Sequence, residues 1–264
     1  MGKVELAFDH IKDKENIREL SVVIYPDSFF YGLWTEKGVL AKTGYHPLVS
    51  LDNVLFLVSY HYDLKNVSVL SSLKPFVHLD KSHLEKQAFD IYFQGLYNMD
   101  RTLASDRKRE DFSYEDVSTL HLIPEEVSHV LAKHNLVPRI HHISTALATY
   151  AHRTQSRFIV FLSERVMHIC VMDKHGDFLM YNQYKSYYDR DFLYFISLVY
   201  SKFFPEDDIP IHLCGDIPKS GQVWKFIRRY FSNIKFIDGA IKMSEGKPEV
   251  APAFYDLHLC RQCV

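Results

Sequence analysis

The stretch from Arg157 to Tyr184, RFIVFLSERVMHICVMDKHGDFLMYNQY, constrains the fold of this chain more than any other. Residues 158–162 are an unbroken apolar run, which suits a strand buried on both faces. Ser163-Glu164-Arg165 interrupts the run, and residues 166–172 read as a second strand. Asp173-Lys174-His175-Gly176-Asp177 is a turn in which the glycine can take a positive φ, and residues 178–184 form a third strand. The same arrangement occurs once before. Residues 20–25, the turn Pro26-Asp27-Ser28, residues 29–34, the turn Thr35-Glu36-Lys37-Gly38 and residues 39–45 repeat strand, short polar turn, strand, glycine turn, strand. Strand starts near 21 and 158 lie about 137 positions apart, and Gly38 and Gly176 about 138. Two matching meanders at a fixed offset point to an internal duplication.

The parallel extends beyond the meanders. Leu51, Val54, Leu55, Val58 and Tyr62 fall on one face of a helix after the first. Phe192, Phe195, Ile196, Val199, Tyr200 and Phe203 do so after the second, in a helix that starts near Asp189 or Asp191 and stops before Pro205. A short strand follows each helix, over 67–70 and 209–214, and then another helix. In the first half that helix is expected over about 80–96, capped by Asp80 or Ser82; in the second, over about 219–231. Residues 234–237 form a last strand.

Between the halves, residues 100–116 (DRTLASDRKREDFSYED) read as a solvated polar loop, with Arg107, Lys108 and Arg109 offset by nearby acids. A strand over 117–122 follows. Pro124 with Glu125 and Glu126 starts a helix running to about His134, because proline lacks only a donor that a first turn does not use. Residues 137–143 are strand-like, and Ser144 or Thr145 caps a short helix ending near Arg153. The tail, 242–264, holds Pro248 and Pro252 and reads as an irregular strap with room for one short helix or strand. Meander followed by alternating helix and strand, twice over, describes two α/β lobes, each a mixed five-stranded sheet flanked by helices. The expected division is 1–150, with connecting elements, and 151–264, with the strap.

Composition limits the functional classes. A formal net charge of −2 gives no global field for nucleic acid or an anionic membrane. The first twenty residues carry charges throughout and lack the apolar core of a secretory signal. No apolar run approaches the roughly 18 residues of a membrane span. Cys170 and Cys214 sit in apolar strands and read as small buried hydrophobes. Cys260 and Cys263 form a terminal C-x-x-C with no second ligand pair, so a zinc site is not expected. A reducing, cytoplasmic setting fits this cysteine usage.

The order of elements resembles the actin-like ATPase fold, the duplicated ribonuclease-H-like architecture of actin, sugar kinases, the Hsp70 class and bacterial cell-division and pilus-assembly ATPases. The segment SYEDVSTLHLIPEEVSHVLAKHNLVPRIHHISTALATYAHR is similar to the region linking the first lobe to the second meander in the pilus-assembly proteins. Over nearly its full length the chain also resembles a bacterial family of unknown function, number 3822 among such domains. The resemblance implies the actin-like fold and an interlobe cleft as the ligand position.

The ATPases of that fold hold phosphates with two glycine-rich hairpin turns, because only glycine lets backbone amides approach phosphate without a Cβ in the way. At the corresponding positions this chain has Tyr25-Pro26-Asp27-Ser28-Phe29 and Leu162-Ser163-Glu164-Arg165, both without glycine. Asp27 and Ser28 are of types that suit a Mg²⁺ shell, but Pro26 removes an amide donor. Glu164 would oppose a phosphate. The nucleoside-binding turn, normally a glycine pair, corresponds to Leu213-Cys214-Gly215-Asp216-Ile217-Pro218-Lys219-Ser220-Gly221, where one glycine directly follows the strand. Asp27, Ser28, Ser163, Gly215 and Asp216 are therefore the candidate cofactor-binding positions; no catalytic or metal-binding residue is assigned.

Other constellations are thinner. The fifteen histidines are scattered, and the adjacent His141 and His142 would point to opposite faces of a strand. Neither H-E-x-x-H nor G-x-S-x-G occurs. Tyr187 and Tyr188 precede a helix and are candidates for a partner surface. The expectation is a non-catalytic scaffold or binding module with degenerate phosphate turns and no cofactor. The alternative is a divergent ATPase that uses ATP and magnesium. A protein partner or self-association is open; nucleic acid and membrane insertion are not expected.

Overall fold

The computed structural model of the protein describes residues 16–84, 88–97, 105–163, 166–217, 221–237, 241–243 and 254–262. They divide into two units. The N-terminal unit holds the described residues of Glu5–Thr145 with 242–243 and 260–262; the C-terminal unit holds those of Ala146–Ile241 with 254–259.

In the N-terminal unit the first meander is β1 (Ile17–Ile24), β2 (Ser28–Thr35) and β3 (Val39–Pro47). After α1 (Leu51–His61), β4 (Asn66–Ser71) pairs parallel to β1, which makes β1 the centre of the sheet. Further along the chain come β5 (Phe76–Asp80), α2 (Ala88–Tyr97), β6 (Ser105–Asp111), β7 (Val117–Pro124), α3 (Glu125–Lys133) and β8 (Arg139–His142). β8 adds parallel to β4. Leu51, Leu55 and Val58 of α1 and Val127 and Leu131 of α3 bury against Leu20, Val22, Leu33 and Val69 of the sheet. Burying each such side chain contributes about 1.5–3 kcal/mol, which outweighs the weak helix propensity of the valines.

The C-terminal unit repeats this order. α4 (Ile143–Thr154) precedes β9 (Phe158–Ser163), β10 (Val166–Met172), β11 (Phe178–Lys185), α5 (Asp189–Phe203), β12 (Ile211–Gly215), α6 (Gln222–Tyr230) and β13 (Ile234–Phe236). The sheet order β11-β10-β9-β12-β13 matches β3-β2-β1-β4-β8, with the same antiparallel and parallel pairs. β9 is fully buried along its length, as its continuous apolar run predicts. Phe192, Ile196 and Val199 of α5 and Ile227 of α6 pack on it. α5 begins where Asp191 Oδ2 accepts the Tyr187 and Tyr188 amides, each at 2.9 Å.

Several expectations need correction. The N-terminal sheet has a sixth strand, β14 (Lys242–Met243), parallel to β3, and the tail also forms α7 (Tyr255–Gln262). Residues 80–96 are not one helix. Phe76–Asp80 is a strand, and the Asp80 carboxylate accepts the Ser82 amide at 2.8 Å, so the cap signal serves a 3-10 turn (Lys81–His83) and α2 begins at Ala88. The polar stretch 100–116 contains β6, which pairs with β7 in a separate three-stranded sheet, β5-β7-β6. Ser144 and Thr145 lie inside the first turn of α4 rather than before it; their hydroxyls meet His142 and Thr119. Among the described residues, no helix is long and apolar enough to cross a membrane.

Candidate functional site

The sequence-predicted positions fall in both units. In the C-terminal unit, β12 runs beside β9 with Gly215 opposite Leu162. The Asp216 amide donates to the Leu162 carbonyl at 2.8 Å, and the Ile217 amide to the Gly215 carbonyl at 2.8 Å. Gly215 has φ +88°, and a Cβ there would lie 2.1 Å from the Leu162 oxygen and 2.9 Å from Phe161 Cε2. Glycine is thus required here by backbone conformation and by the neighbouring strand. Asp216 is half-buried. Ser163 ends β9, buried, and pairs with Val166; Glu164 and Arg165 lie outside the described residues, as do Pro218, Lys219 and Ser220.

In the N-terminal unit the turn between β1 and β2 carries Asp27 and Ser28. Asp27 is exposed and Ser28 buried. The Tyr25 amide donates to the Ser28 carbonyl at 2.9 Å, and the Asp27 carbonyl accepts the Leu48 amide at 3.0 Å, which ties the turn to the start of α1. With the Tyr25 amide engaged and Pro26 lacking one, the turn presents at most two amides to a ligand.

The sequence reading missed what stands behind Gly215. The Tyr255 ring of α7 meets Tyr150 edge-on with centroids 5.7 Å apart, and lies 6.5 Å from the Phe161 ring. Asp256 beside it is buried. Burial, with a smaller contribution from the Asp256 charge, pushes the Cys214 thiol well above its ordinary pKa, so Cys214 is an inert core thiol. Its Sγ faces the Val160 carbonyl at 3.7 Å. The FYDLHLC apolar pattern was the available signal, masked by the prolines before it. Cys260 is also buried, with Sγ on the Val22 carbonyl at 3.7 Å; Cys263 lies outside the described residues. Tyr187 and Tyr188 are exposed, 68% and 63%.

Among the described residues, no group of three or more His, Cys, Asp or Glu side chains could hold a metal ion. In these two turns the Tyr25, Asp216 and Ile217 amides are engaged by backbone carbonyls, Pro26 has none, and Asp27 is an exposed carboxylate.

The model of the family described as "Protein of unknown function (DUF3822)" matches residues 96–234, more than half of the chain. The chain belongs to this family. A search of the curated proteins finds no match to it. Among solved structures, this DUF3822 member is similar to a Bacteroides thetaiotaomicron protein with an actin-like ATPase fold and unknown function. That likeness has a TM-score of 0.70 at 15% identity and covers 90% of this chain and 95% of the other. The cytoplasmic domain of EpsL, an inner membrane component of the Vibrio cholerae type II secretion system, aligns at TM-score 0.50 and 8% identity over 92% and 95% of the chains. The ethanolamine utilization protein EutJ of Carboxydothermus hydrogenoformans aligns at TM-score 0.50 and 8% identity over 94% and 93%. The DUF3822 member therefore has the actin-like ATPase fold.

Proposed function

We propose that this DUF3822 member is a non-catalytic scaffold or binding module of the cytoplasm that keeps the actin-like fold without hydrolysing nucleotide. The observation that carries this reading is the use of the turn amides. The Asp216 amide is taken by the Leu162 carbonyl of β9 and the Ile217 amide by the Gly215 carbonyl, and the β1–β2 turn has a proline where a phosphate turn needs a donor. Gly215 is accounted for by its approach to Leu162, without any ligand. EpsL is a component of a secretion system, so the fold is compatible with a role in assembly, although fold alone does not set function. Its ligand on this reading is a protein partner or a second copy of the chain.

One observation favours the alternative, a divergent ATP- and magnesium-binding protein. Gly215 keeps its positive φ directly after a strand, as a nucleoside-binding turn would. Thermal shift separates the two. A ligand bound only by the native state at about 100 times its Kd adds about 2.7 kcal/mol, a rise in Tm of several degrees. The scaffold reading predicts no rise with millimolar ATP and magnesium; a rise of several degrees would overturn it.

A further inference from the structure

The three-stranded sheet is an addition to the N-terminal unit. Among the described residues, the C-terminal unit has only α6 between β12 and β13, where the N-terminal unit has β5, α2, β6 and β7 as well as α3. One carboxylate fastens this addition. Glu110 of β6 is 8% exposed at its side chain, and its Oε1 lies 2.8 Å from His121 Nε2 on β7. Its Oε2 lies 2.8 Å from His141 Nδ1 on β8. Oε1 also accepts the backbone amide of His142 at 2.5 Å. β6 and β7 belong to the three-stranded sheet and β8 to the six-stranded one, so Glu110 bridges the two.

The surroundings are buried and polar. Thr145 Oγ1 donates to Thr119 Oγ1 at 3.0 Å, and the Phe76 and His142 rings are 4.7 Å apart. His142 is already satisfied: the Leu73 carbonyl can only accept, so Nε2 donates to it at 3.1 Å and Nδ1 accepts from Ser144. The Glu110 charge also acts on the buried His78 of β5. Along β6, Asp106 and Lys108 lie on the same face as Glu110, while Arg109 pairs with Asp111 at 2.7 Å. Arg139 of β8 is exposed, and α3, which packs on β6 and β7, carries Glu125, Glu126, His129 and Lys133 in exposed positions.

We propose that Glu110 is a protonation-controlled latch: ionised, it holds the three-stranded sheet on β8, and neutralised, it lets β5, β6 and β7 open together while the six-stranded sheet stays folded. An ionised carboxylate accepts from the His141 imidazole and the His142 amide at once, with His121 Nε2 2.8 Å from the same oxygen as the amide. A neutral carboxyl brings its own hydroxyl donor into a site already lined by donors, and a charge-assisted set of hydrogen bonds is lost. Burial raises the Glu110 pKa, and the hydrogen bonds from His121 and His141 outweigh it, holding the group below its ordinary 4.5. The latch is therefore closed above about pH 4.5 and opens as pH falls through the lower folded value.

Hydrogen exchange followed by mass spectrometry tests this on the full chain. Glu110→Gln keeps the size and removes the charge. Near neutral pH, amides of β5, β6 and β7 should exchange roughly tenfold faster or more, with β1, β2, β9 and β10 unchanged. In the wild type the same three strands should lose protection first as pH falls below about 4.5, after correction for intrinsic exchange. This second arm decides the matter if the variant does not fold. Unchanged exchange in β5–β7, or equal acceleration of β1 and β2 in either arm, overturns the proposal.

Discussion

Leu162 and Gly215 are locked together: the Leu162 carbonyl oxygen lies 2.1 Å from the place a Cβ on Gly215 would occupy. The neighbouring atom is backbone, which cannot swing aside as a side chain would, and φ of +88° is itself costly for any L side chain. Gly215→Ala should therefore lower stability by about 3 kcal/mol, read from the urea midpoint. A loss below about 1 kcal/mol would mean that β12 and β9 can part at this point.

Trp34 sits at 1% exposure with Nε1 donating to Ser21 Oγ at 3.1 Å. Ser21→Ala leaves that indole N–H buried without its acceptor. The expected cost is about 1–3 kcal/mol in chemical denaturation, larger than the loss of one hydroxyl contact alone.

His78 gives the protein an acid-side slope. Burial, opposed in part by the Glu110 charge, lowers its pKa from 6.5 to about 3. The unfolded chain binds this proton below 6.5 and the folded one does not until about 3, so stability is fully present above 6.5 and declines across that window. The contribution is about 1.4 kcal/mol per pH unit, and His78→Phe should remove it. Denaturation midpoints collected between those pH values for both proteins check the difference in slope.

Tyr255 anchors α7 with no exposed surface, against Tyr150 and Phe161. Tyr255→Ala should cost about 3–5 kcal/mol, whereas truncating the exposed Tyr230 should change stability by less than about 0.5 kcal/mol. Comparing the two variants by thermal melting separates an anchored helix from a loose tail.

The parts of the fold legible in the sequence were those where local pattern and tertiary role agree. The apolar run at 158–162 is β9 because that strand is buried on both faces, and the heptad-like spacing from Phe192 to Phe203 is α5 because one face packs on the sheet. β6 was illegible: SDRKRED has no apolar alternation, and its strand character comes from pairing with β7. β5 was hidden by a genuine local signal, the Asp80 bond to Ser82, that serves a tighter turn than the helix it suggested. At the site, Gly215 was visible as a glycine ending a strand. Glu110 with His121 and His141 was not, since residues 11 and 31 positions from it in the chain meet it only after two sheets have packed.

We propose that the turns of this DUF3822 member hold no nucleotide. Calorimetric titration of the full chain with ATP and magnesium, with phosphate release followed in the same samples, tests it most directly. The account predicts no saturable heat up to millimolar ATP and no release above the blank. Sub-micromolar affinity with measurable phosphate release, abolished by Asp27→Ala, would contradict it.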